Sequence, residues 1–264
     1  MERLDKELVN RAIVDSRVKA QELIKNNLVK VNGKIVTKTS SAIANDDQIE
    51  IVENEVFKYV SRGGFKLEKA LDVFNYDVNN KVVMDIGSST GGFTDCCLQN
   101  GASKMICIDV GTDVMHPSLR LDPRVNLYEN MNFKDAPSSL FQGVDLAVTD
   151  VSFISLKKIF EKISNEKITL DIITLIKPQF ECGREIASKY SGVILNKAIH
   201  AEILQDLISY LYSLGFACVG LDFSPIKGGD GNIEYLGYFT NKENINNTIN
   251  YVELINQAFE FTKK

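Results

Sequence analysis

Residues 85–95 read DIGSSTGGFTD, and no other stretch restricts the fold of this chain as much. An apolar run, Val82-Val83-Met84, leads into it. A second run, Met105-Ile106-Cys107-Ile108, follows and ends in Asp109. A buried strand, a Gly-rich turn, a helix and a second strand tipped by an acid make a βαβ unit of the nucleotide-binding kind. Glycines let the backbone approach a ligand closely, and a carboxylate at the strand tip can accept from two ribose hydroxyls. The candidate pocket is then Asp85, Gly87, Ser88, Ser89, Thr90, Gly91, Gly92 and Phe93, with Asp109 and Val110 on the ribose side. Beyond the third strand, Met131 and Asn132 are placed to border a base ring.

The rest of the pattern extends this unit into an α/β domain. Apolar runs predict strands over 82–86, 105–109, 125–128, 144–149, 171–176, 216–223 and 233–239. Helical patterns separate most of them, which implies parallel pairing through crossovers. Only the loop from Ser224 to Asn232 joins the last two, too short for a helix, so these should be antiparallel. A mostly parallel seven-stranded sheet with an antiparallel last strand is expected, and that layout looks like a Rossmann-like methyltransferase rather than a dehydrogenase domain.

A smaller α+β module precedes it. Residues 3–14 read as a helix, and a second runs from Arg17 to about Asn26, capped by Asp15 or Ser16 and ended by Asn26-Asn27. Val29-Lys30-Val31-Asn32-Gly33-Lys34-Ile35-Val36 is a hairpin, because Asn-Gly between alternating apolar residues fits a two-residue turn. Ile49 and Ile51 mark another strand. The division expected is a first domain over 1–56, a linker over 57–61 and a second domain over 62–264.

Charge separates the two modules. The net charge of −5 hides a basic segment, with nine Lys or Arg against five Asp or Glu in residues 1–45. A basic patch on an acidic body suggests a polyanion-binding surface, with a merely solvated face as the alternative. Arg3, Arg11, Arg17, Lys19, Lys25 and Lys30, with Arg62 further on, are the candidate RNA-phosphate contacts. The five cysteines have no metal-motif spacing and read as buried free thiols, and two histidines make a His-based metal site improbable, so no metal is expected. The chain has no apolar run long enough to span a bilayer and no signal-like start, so a cytoplasmic location is expected.

Ligands of open α/β sheets lie beyond the carboxyl ends of the parallel strands. Asp109, Asp150 and Lys177 end strands there, and Glu234 begins the antiparallel strand at the same edge. Lys66 sits in the helix entering the first strand. Two lysines suit a hydroxyl acceptor, because a second ammonium helps a lysine lose its proton. Carboxylates would hold both, and the four would titrate together. Each residue also has a plainer reading: a solvated strand end for Lys177, a helix cap for Asp150, an exposed strand residue for Glu234.

Two resemblances sharpen these readings. Arg3-Leu4-Asp5, Ser16-Arg17, Ala20, Leu23-Ile24 and Val29-Lys30-Val31-Asn32-Gly33 resemble the S4 RNA-binding domain. Tyr59-Val60-Ser61-Arg62-Gly63-Gly64, DIGSSTGGFTD, Asp150-Val151-Ser152-Phe153, Leu175-Ile176-Lys177-Pro178-Gln179-Phe180-Glu181 and Gly231-Asn232-Ile233-Glu234-Tyr235 resemble the TlyA family, often labelled hemolysin A and related to the FtsJ/RrmJ ribose methyltransferases. The resemblance implies S-adenosylmethionine as cofactor and 2′-O-methylation of cytidine in ribosomal RNA, of the large subunit and in some members also the small. It carries the catalytic Lys-Asp-Lys-Glu set onto Lys66, Asp150, Lys177 and Glu234, with Asp150 also beside the cofactor. A non-catalytic rRNA-binding assembly factor is the other reading. A membrane-lytic role has only the label behind it, and an NAD-dependent oxidoreductase would need G-x-G-x-x-G, which the turn lacks.

Overall fold

The computed structural model describes every residue except 15, 26–27, 53–57, 244, 246–248 and 263–264, and the side chains of 22, 25 and 184. The expected cap at Asp15, the helix end at Asn26-Asn27, the Lys25 side chain and Phe57 of the expected linker lie outside the described residues. The chain divides into two compact units, Met1–Phe57 and Lys58–Lys264.

The first unit holds β1 (Glu2–Arg3), α1 (Leu4–Asn10), α2 (Arg17–Lys25), β2 (Val29–Val31), β3 (Lys34–Ile35), β4 (Ala42–Ile43) and β5 (Ile49–Ile51). Strand β2 pairs antiparallel with β3 on one side and β5 on the other. The hairpin turns at Asn32 (φ 51°) and Gly33 (φ 76°), both left-handed, as a two-residue type I′ turn requires. Leu4 and Leu8 of α1 pack on Leu23 and Ile24 of α2, with Val29 and Ile43 closing the core. Helix α1 is shorter than the 3–14 read from apolar spacing. Ala12 is left-handed (φ 54°), and the Arg11 guanidinium reaches across to the carbonyls of Ala44 and Asp47.

The second unit contains α3 (Gly63–Val73), β6 (Val82–Ile86), α4 (Gly92–Gln99), β7 (Lys104–Ile108), α5 (Pro117–Arg120), β8 (Val125–Tyr128), β9 (Leu146–Thr149), α6 (Leu156–Asn165), β10 (Asp171–Ile176), α7 (Pro178–Glu181), α8 (Gly183–Lys189), α9 (Lys197–Ser213), β11 (Ala217–Phe223), β12 (Tyr235–Thr240) and α10 (Tyr251–Phe261). Its seven strands lie in the order β11-β12-β10-β9-β6-β7-β8. Strands β6 to β10 pair in parallel, and β12 runs antiparallel between β10 and β11. Alternate residues feed two apolar layers, as expected of a sheet covered on both faces. Met84, Ile86, Ile106 and Ile172 join one with α6, α9 and α10, while Val83, Met105, Cys107 and Ile173 join the other with α3 and α4.

Residues 58–61, read from the sequence as linker, are packed into the second unit. The Val60 N–H donates to Asp95 of α4 at 2.8 Å, and buried Tyr59 sets its ring edge-on to Phe65.

Candidate active site

The strand order reverses at β6, whose neighbours are β7 and β9. Such a reversal opens a crevice at the carboxyl edge, where crossover loops leave in opposite directions. The pairing register sets what lines it. Ile86 is level with Ile108 on one side and Thr149 on the other. Gly87, Asp109 and Asp150 are each one residue further on, so all three stand at that edge. In the same way Ile176 pairs with Tyr235, which puts Lys177 and Glu234 side by side one step beyond the sheet.

On the β6–β7 side, Gly87 takes φ 79° and turns the chain directly under Val151; a Cβ there would lie 2.9 Å from the Val151 side chain. The carboxylate of Asp109 braces the turn, accepting from Ser89 N–H and from Gly111 N–H, each at 2.7 Å. Val110 beside it is exposed. The hydroxyls of Ser88 and Thr149 are buried with no hydrogen-bond partner. Buried polar atoms are normally paired, so unpaired ones beside a Gly-rich turn suit a polar ligand. Thr90 is exposed on the turn, Gly91 (φ 93°) caps α4, and Gly92 opens that helix.

Two other candidates in this group, Asp85 and Phe93, face the interior. Asp85 is buried, and its carboxylate accepts from Thr94 at 2.6 Å inside the strand–helix junction. Burial pushes it up to about 7, with the Thr94 hydroxyl pulling the other way. Phe93 is buried in the apolar layer shared with α3. Met131 hydrogen bonds through its N–H to the Asp109 carbonyl, and the Asn132 side chain accepts from Lys134 N–H at the edge of the same region.

At the ends of β9 and β10 and the start of β12, four charged side chains come together from four separate segments. Lys66, in the first turn of α3, sets its Nζ 2.7 Å from Glu234 Oε2 and 3.5 Å from Asp150 Oδ2. Lys177, which precedes α7, sets its Nζ 2.6 Å from Asp150 Oδ1. Lys66, Lys177 and Glu234 are buried, and Asp150 is half-buried. Asp150 therefore bridges two ammonium groups. Glu234 Oε2 and Asp150 Oδ1 meet their lysines as ionic contacts, off the direction of a good hydrogen bond. Burial raises Glu234 above the usual carboxylate range, and Lys66 opposes that rise.

Ser152 was not singled out from the sequence. Its Oγ accepts from Lys177 Nζ at 2.9 Å. Its sequence signals were its place two residues after Asp150 in a strand-end loop and inside the segment Asp150-Val151-Ser152-Phe153 that carries the resemblance. That loop also carries Phe153, left-handed (φ 65°) and 91% exposed, which rests on Phe180 of α7. Among the described residues no cluster of His, Cys, Asp or Glu is arranged to hold a metal ion.

The RNA candidates divide by partner. Arg3 and Arg17 both grip the buried carboxylate of Asp5, at 2.9 and 3.0 Å, with Gln21 as a third donor. These donors, Arg3 foremost, hold Asp5 well below the usual carboxylate range. Arg11 is spent on Glu7 and on backbone carbonyls. Lys19 and Lys30 are half-buried, and Arg62 is exposed at the start of α3.

The sequence matches two known family models. An FtsJ-like methyltransferase model fits residues 59–241, and an S4 domain model fits residues 2–49. The chain belongs to the FtsJ-like methyltransferase family. It is 45% identical to hemolysin A of Brachyspira hyodysenteriae over 90% of this chain and 99% of that protein. It is 36% identical to the 16S/23S rRNA (cytidine-2′-O)-methyltransferase TlyA of Mycobacterium tuberculosis over 88% of this chain and 87% of that one. A solved hemolysin-labelled structure from Streptococcus thermophilus superposes with a TM-score of 0.78 at 38% identity, covering 99% and 97% of the two chains. As an FtsJ-like methyltransferase with an S4 domain in front, the chain has the fold and activity class expected from its motifs. No described helix is long and apolar enough to cross a membrane.

Proposed function

We propose that this chain transfers a methyl group from S-adenosylmethionine to the 2′-hydroxyl of a cytidine in ribosomal RNA. The observation that carries the reading is the buried contact of Lys66 and Lys177 with one carboxylate, Asp150, at the edge of the Gly-rich turn. S-adenosylmethionine, when bound, supplies a methyl on a sulfonium centre. Gly87, Ser88 and Thr149 would hold it, with Asp109 on its ribose.

The chain's own residues then act on the acceptor. A ribose hydroxyl is a poor nucleophile and must lose its proton as the new bond forms. Only an uncharged amine can take that proton, so Lys177 acts after releasing its own, with Lys66 on the same carboxylate disfavouring a second ammonium. Asp150 and Ser152 hold Lys177 in place, and Lys66 orients the hydroxyl from the Glu234 side. Much of the rate would come from fixing the hydroxyl in line with the methyl group. The S4 domain would bring RNA to this site through phosphate contacts. Whether one ribosomal subunit or both are substrates is part of the same test.

The test is transfer of labelled methyl to ribosomal subunits from a strain lacking this protein, followed by mapping of the modified ribose. Transfer to cytidine 2′-oxygen is expected, and binding without transfer would favour an assembly factor. Lys177→Ala should lower the rate at least about a hundredfold, the usual scale of a lost general base. Lys177→Arg should be as inactive, because a guanidinium keeps the charge but does not give up a proton. An active arginine variant would remove Lys177 from the role of base.

A further inference from the structure

Glu234 lies at a weak point of the sheet. It is the residue before β12 and follows a connection that contains Gly228, Gly229 and Gly231. A carboxylate placed there needs support from outside the ladder if it is to stay on Lys66.

Ser224 N–H holds the Glu234 carbonyl at 2.8 Å and Gly228 N–H the Asn232 carbonyl at 3.0 Å, and the side chains flanking Glu234 are tied to one further segment. Asn232, buried, donates from its amide to the Gly192 carbonyl at 2.7 Å and accepts from Ile194 N–H at 3.1 Å. On the other side of Glu234, the hydroxyl of Tyr235 lies 2.7 Å from Nδ1 of His200, and Nε2 of His200 lies 2.9 Å from the Ile194 carbonyl. A carbonyl only accepts, so Nε2 carries the proton and Nδ1 takes the one from Tyr235. Burial lowers the His200 pKa, which fits a neutral ring. Both main-chain polar groups of Ile194 are thus fastened, its N–H to the residue two before Glu234 and its carbonyl, through His200, to the residue after it. The Glu234 carboxylate is backed by Gly228, where a Cβ would lie 2.5 Å from Oε1.

The geometry points to Asn232 and His200 as positioning residues that latch Glu234 onto Lys66 through the Ile194 backbone. This rests on the methyltransferase reading for its effect on rate, but the latch itself is a property of the fold. Neither residue is hydrogen-bonded or ion-paired to the four charged groups.

The experiment compares Asn232→Ala, His200→Ala and His200→Gln with the unaltered chain in methyl transfer to undermethylated subunits. The alanine variants should lose at least about tenfold in kcat while KM for both substrates stays within about threefold. Glutamine keeps an N–H donor toward the Ile194 carbonyl and should recover most of the loss. A kcat within about twofold of the unaltered chain in both alanine variants would overturn the latch. Amide exchange of the unaltered chain gives a second measurement that needs neither folded variants nor activity. Ile194 and Tyr235 should open together, with protection equal within about threefold, and protection differing by more than about tenfold would overturn the latch. If the unaltered chain methylates no rRNA, the functional reading fails, and the exchange result alone decides the latch.

Discussion

Asp85 shows how far burial can change the chemistry of a motif residue. Its first position in DIGSSTGGFTD suggests a ligand contact, yet its carboxyl lies inside the junction of β6 and α4 on Thr94. Burial pushes it up to about 7. The native state therefore holds this proton more tightly than the unfolded chain does. Stability from this group is complete below about pH 4, is lost as pH rises toward about 7, and does not return above that. At about 1.4 kcal/mol per unit, the wild type should lose about 2–3 kcal/mol between about pH 5 and 7 that Asp85→Asn does not lose. Urea unfolding midpoints of both proteins across that range check this. Parallel curves would mean that the carboxyl is ionised throughout.

The junction of α3 and α4 is the element on which both halves of the site depend, because α3 carries Lys66 and α4 follows the Gly-rich turn. The two helices meet at their first turns. An alanine Cβ at Gly92 would lie 2.2 Å from Ser61 Oγ and 3.0 Å from the Gly64 nitrogen. The serine can rotate away, but the Gly64 backbone is fixed by its own helix. Gly92→Ala should cost about 1–3 kcal/mol, the usual range for overpacking. It should also weaken S-adenosylmethionine binding by calorimetry, and adding Ser61→Ala should recover only part of either loss. Full recovery would show that the hydroxyl alone sets the spacing. Elements of this kind were legible in the sequence because apolar runs and glycines are local signals: β6, β7, β10 and the Asn32-Gly33 hairpin fall where the pattern puts them. Lys177 and Glu234 were legible too, because strand direction fixes which ends share an edge. The two-residue strands β1 and β4 were not, since they are too short for periodicity. Asn232 and His200 were not, since their role comes from a segment about forty residues away in the chain for Asn232 and from the buried Tyr235 for His200.

At the scale of the whole molecule, charge and chemistry are divided between the two units, and the division predicts how they respond to salt. The sequence offers Arg3, Arg11 and Arg17 as phosphate contacts on charge alone. In the structure they are partly committed within the first unit: Arg3 and Arg17 to the buried Asp5, Arg11 to Glu7 and to carbonyls of the segment after β4. Arg11→Ala should therefore lower the melting temperature of the full chain and only secondarily affect RNA. Lys30 and Lys34 lie on the β2–β3 hairpin, where Lys34 is exposed and the Ile35 beside it is 54% exposed. A lysine that neutralises one phosphate displaces condensed counterions, so its loss lowers the slope of log affinity against log salt by about 0.7–0.9. The Lys30→Gln, Lys34→Gln pair should lower that slope by about 1.5, raise KM for the RNA, and leave the affinity for S-adenosylmethionine and the melting temperature unchanged. The comparison with Arg11→Ala is what makes the measurement decisive. If both variants lower the melting temperature and neither changes the salt slope, the basic charge of the first unit serves its own fold, and RNA is gripped elsewhere.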